Sequence, residues 1–183
     1  MIARDRQRRG LLQGGVVGTL MSNFGLEMAL SNLNIPFERA QVGDRYVLEA
    51  LKDKEWKIGG ESSGHIVCLD KTTTGDGIVA ALQVLCIMTR QEKTLHELTE
   101  GITLLPQTLI NLKTNHAADL ANNPKVIQAV EKVQASMKGE GRVLLRPSGT
   151  EPLLRVMVEG LNEPLVKQRA QELCDDISLI DAG

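Results

Sequence analysis

Aromatic side chains make up only 2% of this 183-residue chain: one tryptophan, one tyrosine and two phenylalanines. That scarcity removes the stacking platforms on which single-stranded nucleic acid is held. Net charge is missing as well. Twenty-one lysines and arginines stand against 23 acidic residues, a formal balance of -2, so no overall field draws the chain to nucleic acid or to an anionic membrane. Cys68, Cys86 and Cys174 are widely spaced, show no zinc-ligand pattern and sit in apolar runs. They predict reduced core thiols and a cytoplasmic protein. No apolar run reaches membrane-spanning length, and the basic opening Arg4 to Gly10 is not followed by the apolar segment of a signal peptide. That opening reads as a solvated helix end.

What is present is enough apolar material, 42% of residues, to fill one core or two small ones. Gly14 to Met21 has strand character. Ser22 or Asn23 can cap a helix through Leu33, because Leu26, Ala29, Leu30 and Leu33 recur at helical spacing. Ile35 to Val42 restarts as a strand, Asp44 can cap a helix from Arg45 to Asp53, and Trp56 to Gly60 and His65 to Leu69 read as two further strands. Thr72 to Gly77 leads into an apolar-periodic helix from Ile78 to Arg90, and Thr94 with Glu97 forms a capping box. The rhythm predicts an α/β fold: a layered domain with a mixed sheet over residues 1–114. The polar, turn-prone run Asn115 to Pro124 then marks a boundary. Residues 115–183 are expected to form a small α+β domain of strand-helix-hairpin-helix type, with helices from Lys125 to Met137 and Glu163 to Ile180.

Two loops carry candidate chemistry. Arg146-Pro147-Ser148-Gly149-Thr150-Glu151-Pro152 sets a guanidinium, two hydroxyls and a glycine between proline corners, inside an expected hairpin from Arg142 to Glu159. Arginine presents a planar fork of donors that matches phosphate oxygens, and the turn can add backbone N–H groups. A plain hairpin turn accounts for the same string, so both readings stay open locally. Gly60-Glu61-Ser62-Ser63-Gly64-His65 offers a carboxylate that can accept from neighbouring sugar hydroxyls, flanked by glycines that permit close approach. A solvated turn is the alternative there. Asp76-Gly77 is better explained as a helix cap than as a metal site, since Mg²⁺ needs more oxygen ligands.

Together, in this order, the two loops resemble the sugar-binding and phosphate-binding motifs of the α-D-phosphohexomutases. Val42-Gly43-Asp44-Arg45-Tyr46-Val47 and Leu69 to Gly77 extend the likeness over essentially the whole chain, and the motifs are most similar to those of the glucosamine-phosphate branch. The resemblance implies the third and fourth domains of a longer isomerase that interconverts glucosamine 6-phosphate and glucosamine 1-phosphate through a phosphoserine and a bisphosphate. It assigns sugar contact to Glu61 and Ser63, with Arg45 and His65 as further candidates, His65 also for proton transfer. Phosphate contact falls to Arg146, Ser148, Gly149 and Thr150. Glu151 is expected to point away from the anion or to pair with Arg155. The family's phosphoserine and Mg²⁺ loop belong to its first two domains and are not in this sequence. The chain alone is therefore expected to be inactive, with a hexosamine phosphate and the enzyme's N-terminal domains as partners. A phosphomannomutase or phosphoglucomutase, or a non-catalytic sugar-phosphate-binding module, would fit the same residues.

Overall fold

Strand and helix alternate through the first half of the chain, and the computed structural model describes residues 1–182. In order come α1 (Ile2–Arg8), β1 (Val16–Thr19), α2 (Phe24–Asn32), β2 (Phe37–Ala40), α3 (Asp44–Asp53), β3 (Ile58–Gly60), β4 (Ile66–Cys68), α4 (Gly77–Gln91) and α5 (Leu95–Thr99). The strands form one sheet in the order β2-β1-β3-β4. β1 runs parallel to β2 and β3, whereas β4 returns antiparallel to β3, giving the expected mixed sheet. Successive strand residues face opposite sides, and this sorts the core. Val16 packs with Ala3, Leu30, Ile35 and Ile58 beneath α1 and α2, while Val17 packs with Val47, Leu51 and Val67 beneath α3. Helices thus cover both faces, as a parallel core requires.

The chain divides after Leu104 into two units. The second holds β5 (Gln107–Lys113), α6 (Ala117–Ala121), α7 (Pro124–Ser136), β6 (Gly141–Pro147), β7 (Leu153–Gly160) and α8 (Glu163–Asp181). Its antiparallel sheet runs β5-β7-β6. Leu154, Val156 and Val158 of β7 are fully buried, the first two with Val126, Leu173 and Ile177, the last with Val166 and Ala170. Each such side chain contributes roughly 1.5–3 kcal/mol.

Three expectations need correction. The boundary lies some ten residues earlier than the polar run suggested, because β5 pairs with β7 from Gln107↔Glu159 to Lys113↔Leu153 and so belongs to the second sheet. The run itself contains α6, whose Leu120 enters the core. The basic opening is no solvated helix end. Arg6 is 8% exposed and pairs with Asp70 at 2.7 Å, while buried Asp5 accepts from Arg90 and Gln91, both at 2.9 Å, tying α1 to α4. Finally, Cys68 and Cys174 are buried but Cys86 is exposed, since it falls on an outward face of α4. Among the described residues no helix is long and apolar enough to cross a membrane.

Candidate functional site

In the first unit the parallel strands β1, β2 and β3 end at one edge of the sheet, where open α/β sheets carry their ligand sites. Glu61 to His65 joins β3 to β4 at that edge. Glu61 N–H donates to the His65 carbonyl at 3.0 Å and Gly64 N–H to the Glu61 carbonyl at 3.1 Å. The turn closes on Gly64 at φ +92, a region that side-chain-bearing residues avoid. Ser62 and Ser63 are left exposed at its tip.

Glu61 also reaches across the edge. Its Oε1 accepts from Gly43 N–H at 2.8 Å, which fixes the carboxylate. Gly43, at φ +130, is the N-cap of α3, so Asp44 is the first helical residue and not the side-chain cap expected from the sequence. Asp44 Oδ2 stands 3.9 Å from His65 Nε2. That nitrogen is buried without a hydrogen-bond partner, and its ring packs over Gly75, where an added methyl would lie 2.1 Å from it. Glu61, Ser63 and His65 therefore share one loop. Arg45 does not join them, because its Nε donates to Glu49 at 2.8 Å, one turn along α3.

In the second unit the turn Ser148 to Pro152 joins β6 to β7. Ser148 N–H is committed to the Leu153 carbonyl at 2.9 Å, and its hydroxyl accepts from Glu151 N–H at 3.3 Å. The N–H groups of Gly149 and Thr150 have no acceptor and both residues are exposed. Gly149 lies outside the left-handed region, and a methyl there would meet nothing within 4 Å. Neither strain nor crowding demands glycine here. What its small size provides is open access to the backbone. Glu151 leans on Arg155 at 3.5 Å, as expected.

One site residue was not assigned from the sequence. Arg155 is directly opposite Arg146 in the β6–β7 register. Opposed residues of an antiparallel pair share a face, and like charges there repel. Arg146 has no ion-pair partner among the described residues, and Arg155 Nε is buried without an acceptor. Arg146 and Arg155 thus lie opposite each other on the two strands that the turn joins, with Glu151 on Arg155 as the carboxylate that contacts the pair. The sequence signal for this pair is the register itself, which follows once Gly149 to Pro152 is taken as the loop and Ser148 is set opposite Leu153.

Residues 1–104 match the model described as phosphoglucomutase/phosphomannomutase, alpha/beta/alpha domain III, and residues 109–176 match the C-terminal domain of the same set. The chain belongs to the phosphoglucomutase/phosphomannomutase family. Over 181 residues it is 74% identical to the phosphoglucosamine mutase of Legionella pneumophila (strain Corby), and over 180 residues 55% identical to that of Erwinia tasmaniensis. These alignments cover 99% and 98% of this chain, which spans about 40% of the length of either relative. Aspergillus fumigatus N-acetylphosphoglucosamine mutase in complex with GlcNAc-6P and magnesium shares the fold at a TM-score of 0.78. Its identity is 20%, over 98% of this chain and 42% of that one. The phosphohexomutase fold expected from the motifs is thus the one observed.

The family's magnesium does not fit the residues present. Among those described, no three of His, Cys, Asp and Glu come together. Asp76 Oδ1 is occupied as the cap of α4, accepting from Ile78 and Val79 N–H at 2.8 and 2.9 Å.

Proposed function

We propose that this chain supplies the sugar-binding and phosphate-binding loops of a phosphoglucosamine mutase, which interconverts glucosamine 6-phosphate and glucosamine 1-phosphate through a phosphoserine and a bisphosphate. The observation that carries the reading is the Arg146–Arg155 pair on the strands flanking a turn whose Gly149 and Thr150 N–H groups are uncommitted. An anion there relieves the repulsion and accepts charge-assisted bonds. Ser148 contributes to the turn and Arg146, Gly149 and Thr150 to the anion. Through Glu61 and Ser63 the first unit binds sugar hydroxyls, with His65 as the neighbouring donor or acceptor.

A bisphosphate that must reverse needs its non-reacting phosphate held in either orientation, and positioning is most of what protein contributes to phosphoryl transfer. The reacting serine and Mg²⁺ are assigned to the part of the enzyme outside these residues. A neighbour of that kind also accounts for the apolar face that α4 leaves uncovered in this chain, where Ile78, Leu82 and Leu85 are 75%, 52% and 54% exposed. The setting is cytoplasmic.

The test has two arms. The purified chain is expected to bind glucosamine 6-phosphate weakly and to turn over none of it. In the longer enzyme, Arg146→Ala should lower kcat/KM by about 10- to 100-fold, through both kcat and KM, since one charge-assisted bond orients the reacting end. Turnover by the chain alone, or unchanged kinetics in the variant, would refute the reading. Glucose and mannose phosphates assayed alongside identify the preferred sugar.

A further inference from the structure

At the opposite end of the first sheet from the Glu61 loop, where β1 and β3 begin and β4 ends, lies a cavity of about 420 Å³. Its lining includes Arg6, Arg9, Lys57, Lys71 and Arg90, with Asp70 as the one carboxylate. Several of these cations are partly neutralised. Arg6 Nη1 and Lys71 Nζ both contact Asp70, at 2.7 and 3.4 Å, and Arg90 and Arg9 contact Asp5, at 2.9 and 3.5 Å. The charge still does not balance, since two carboxylates face five cations and Lys57 has no acidic partner.

The second observation is Arg6 itself. Its side chain is 9% exposed, yet Nη2 is buried without a hydrogen-bond partner. The buried Cys68 thiol lies within hydrogen-bonding reach of the Arg6 guanidinium, but sulfur is a weak acceptor and satisfies it poorly. An unsatisfied guanidinium nitrogen at a buried position costs free energy unless a ligand completes it.

We propose that this cavity is a second anion site, for a small diphosphate-bearing molecule, formed by Arg6 and Arg9 from the α1 segment, Lys57 ahead of β3, Lys71 after β4 and Arg90 from α4. Donors arriving from four segments suit two phosphate groups better than one. Arginine and lysine divide the work: Arg6, with Nη1 held by Asp70, offers Nη2 alone, and Lys57 adds a charge with no acidic partner. The site draws on no residue of the Glu61 or Arg146 loops, and it stands whether or not the proposed sugar chemistry does.

Cys86 lines the same cavity and is exposed, which provides a local reporter. Burial pushes the Cys174 thiol up to about 11 and raises Cys68 as well, so at mildly alkaline pH iodoacetamide should modify Cys86 first. The probe is pyrophosphate, with inorganic phosphate in parallel, in an Arg146→Ala background that silences the other anion loop. Pyrophosphate should slow Cys86 alkylation saturably and shift the backbone amides of Lys57, Lys71 and Arg90, with inorganic phosphate acting more weakly. Lys57→Gln breaks no contact in the fold and should weaken binding about tenfold, the scale of one charge-assisted bond. Lys125→Gln, the same charge change on α7, should leave binding unaltered. The proposal fails if pyrophosphate gives neither protection nor saturable shifts, or if Lys57→Gln and Lys125→Gln behave alike. Equal affinity for phosphate and pyrophosphate would overturn the diphosphate assignment.

Discussion

Replacing Gly149 by alanine separates what the phosphate turn needs in order to fold from what it needs in order to bind. Its φ lies outside the left-handed region and its methyl would meet no heavy atom within 4 Å. Alanine should therefore be accommodated without strain. By narrowing the unfolded ensemble it should raise stability by about 0.4–1 kcal/mol. Binding should move the other way. A phosphate oxygen seated about 2.9 Å from Gly149 N would be crowded by the methyl on the adjacent carbon. Loss of one charge-assisted bond, about 1.5–3 kcal/mol, would weaken binding about 10- to 100-fold. Urea denaturation measures the first quantity, and titration with glucosamine 6-phosphate followed by amide shifts measures the second. Gly64→Ala is the control. Its methyl also meets nothing, but at φ +92 the residue should lose roughly 1–2 kcal/mol. A Gly149→Ala protein destabilised like Gly64→Ala would contradict the turn geometry. Unchanged binding in Gly149→Ala, with binding abolished in Arg146→Ala, would show that the guanidinium alone holds the phosphate.

Two other predictions concern the first unit. Glu61→Ala strips the acceptor from Gly43 N–H and should cost about 1–2 kcal/mol in urea denaturation. Glu61→Gln should recover most of that stability by keeping an acceptor but should not recover sugar-phosphate affinity. Equal affinity in Glu61→Gln and wild type would remove the carboxylate from the sugar's contacts. The second prediction is a pH dependence. Burial opposes ionisation of Asp70, but hydrogen bonds and charge from Arg6 and Lys71 outweigh it and hold the carboxyl below its ordinary value. A depressed folded pKa gives stability that is present above the unfolded value, about 3.9, and is lost as pH falls through the folded value. Asp70→Asn should therefore destabilise at neutral pH and flatten the acid limb below about pH 4. An acid limb that is unchanged in the variant would place the titration elsewhere.

The periodicity of residues 16–99 was enough to read strands and helices in order, because α2 and α3 each turn their apolar positions to one face of the sheet. Capping was legible where a side chain performs it, as with Asn23, Asp76 and the Thr94–Glu97 box, each of which is found bonded as expected. It was not legible at α3. There the cap is a glycine backbone held by a carboxylate 18 residues away, and no local pattern records such a contact. The domain boundary was misplaced for a related reason. Polarity marks exposure, but the membership of β5 is decided by its pairing with β7, from Gln107↔Glu159 to Lys113↔Leu153, far along the chain. The charged opening concealed its role for the same cause. Arg6 and Asp5 look like surface charges until α1 is placed against α4 and the end of β4, where their partners wait at Asp70, Arg90 and Gln91.

The two loops also divide preorganisation differently. In the Glu61 loop the backbone demands are met by the protein: the turn closes on itself and Glu61 is anchored by Gly43, while the His65 ring rests on Gly75 with Nε2 unpartnered. In the proposed function such a loop would hold its shape before a sugar arrives, and selectivity between hydroxyl patterns would follow from fixed geometry. The Arg146 turn has its framework satisfied through Ser148 and Leu153, yet Arg146 and Arg155 stand opposite one another in the register. In the proposed function, phosphate binding there would gain from relief of repulsion as well as from new bonds, and would be correspondingly tolerant of which phosphate is presented. A reaction in which the substrate returns reversed calls for that pairing of properties, strict toward the sugar and indifferent to which end carries the held phosphate.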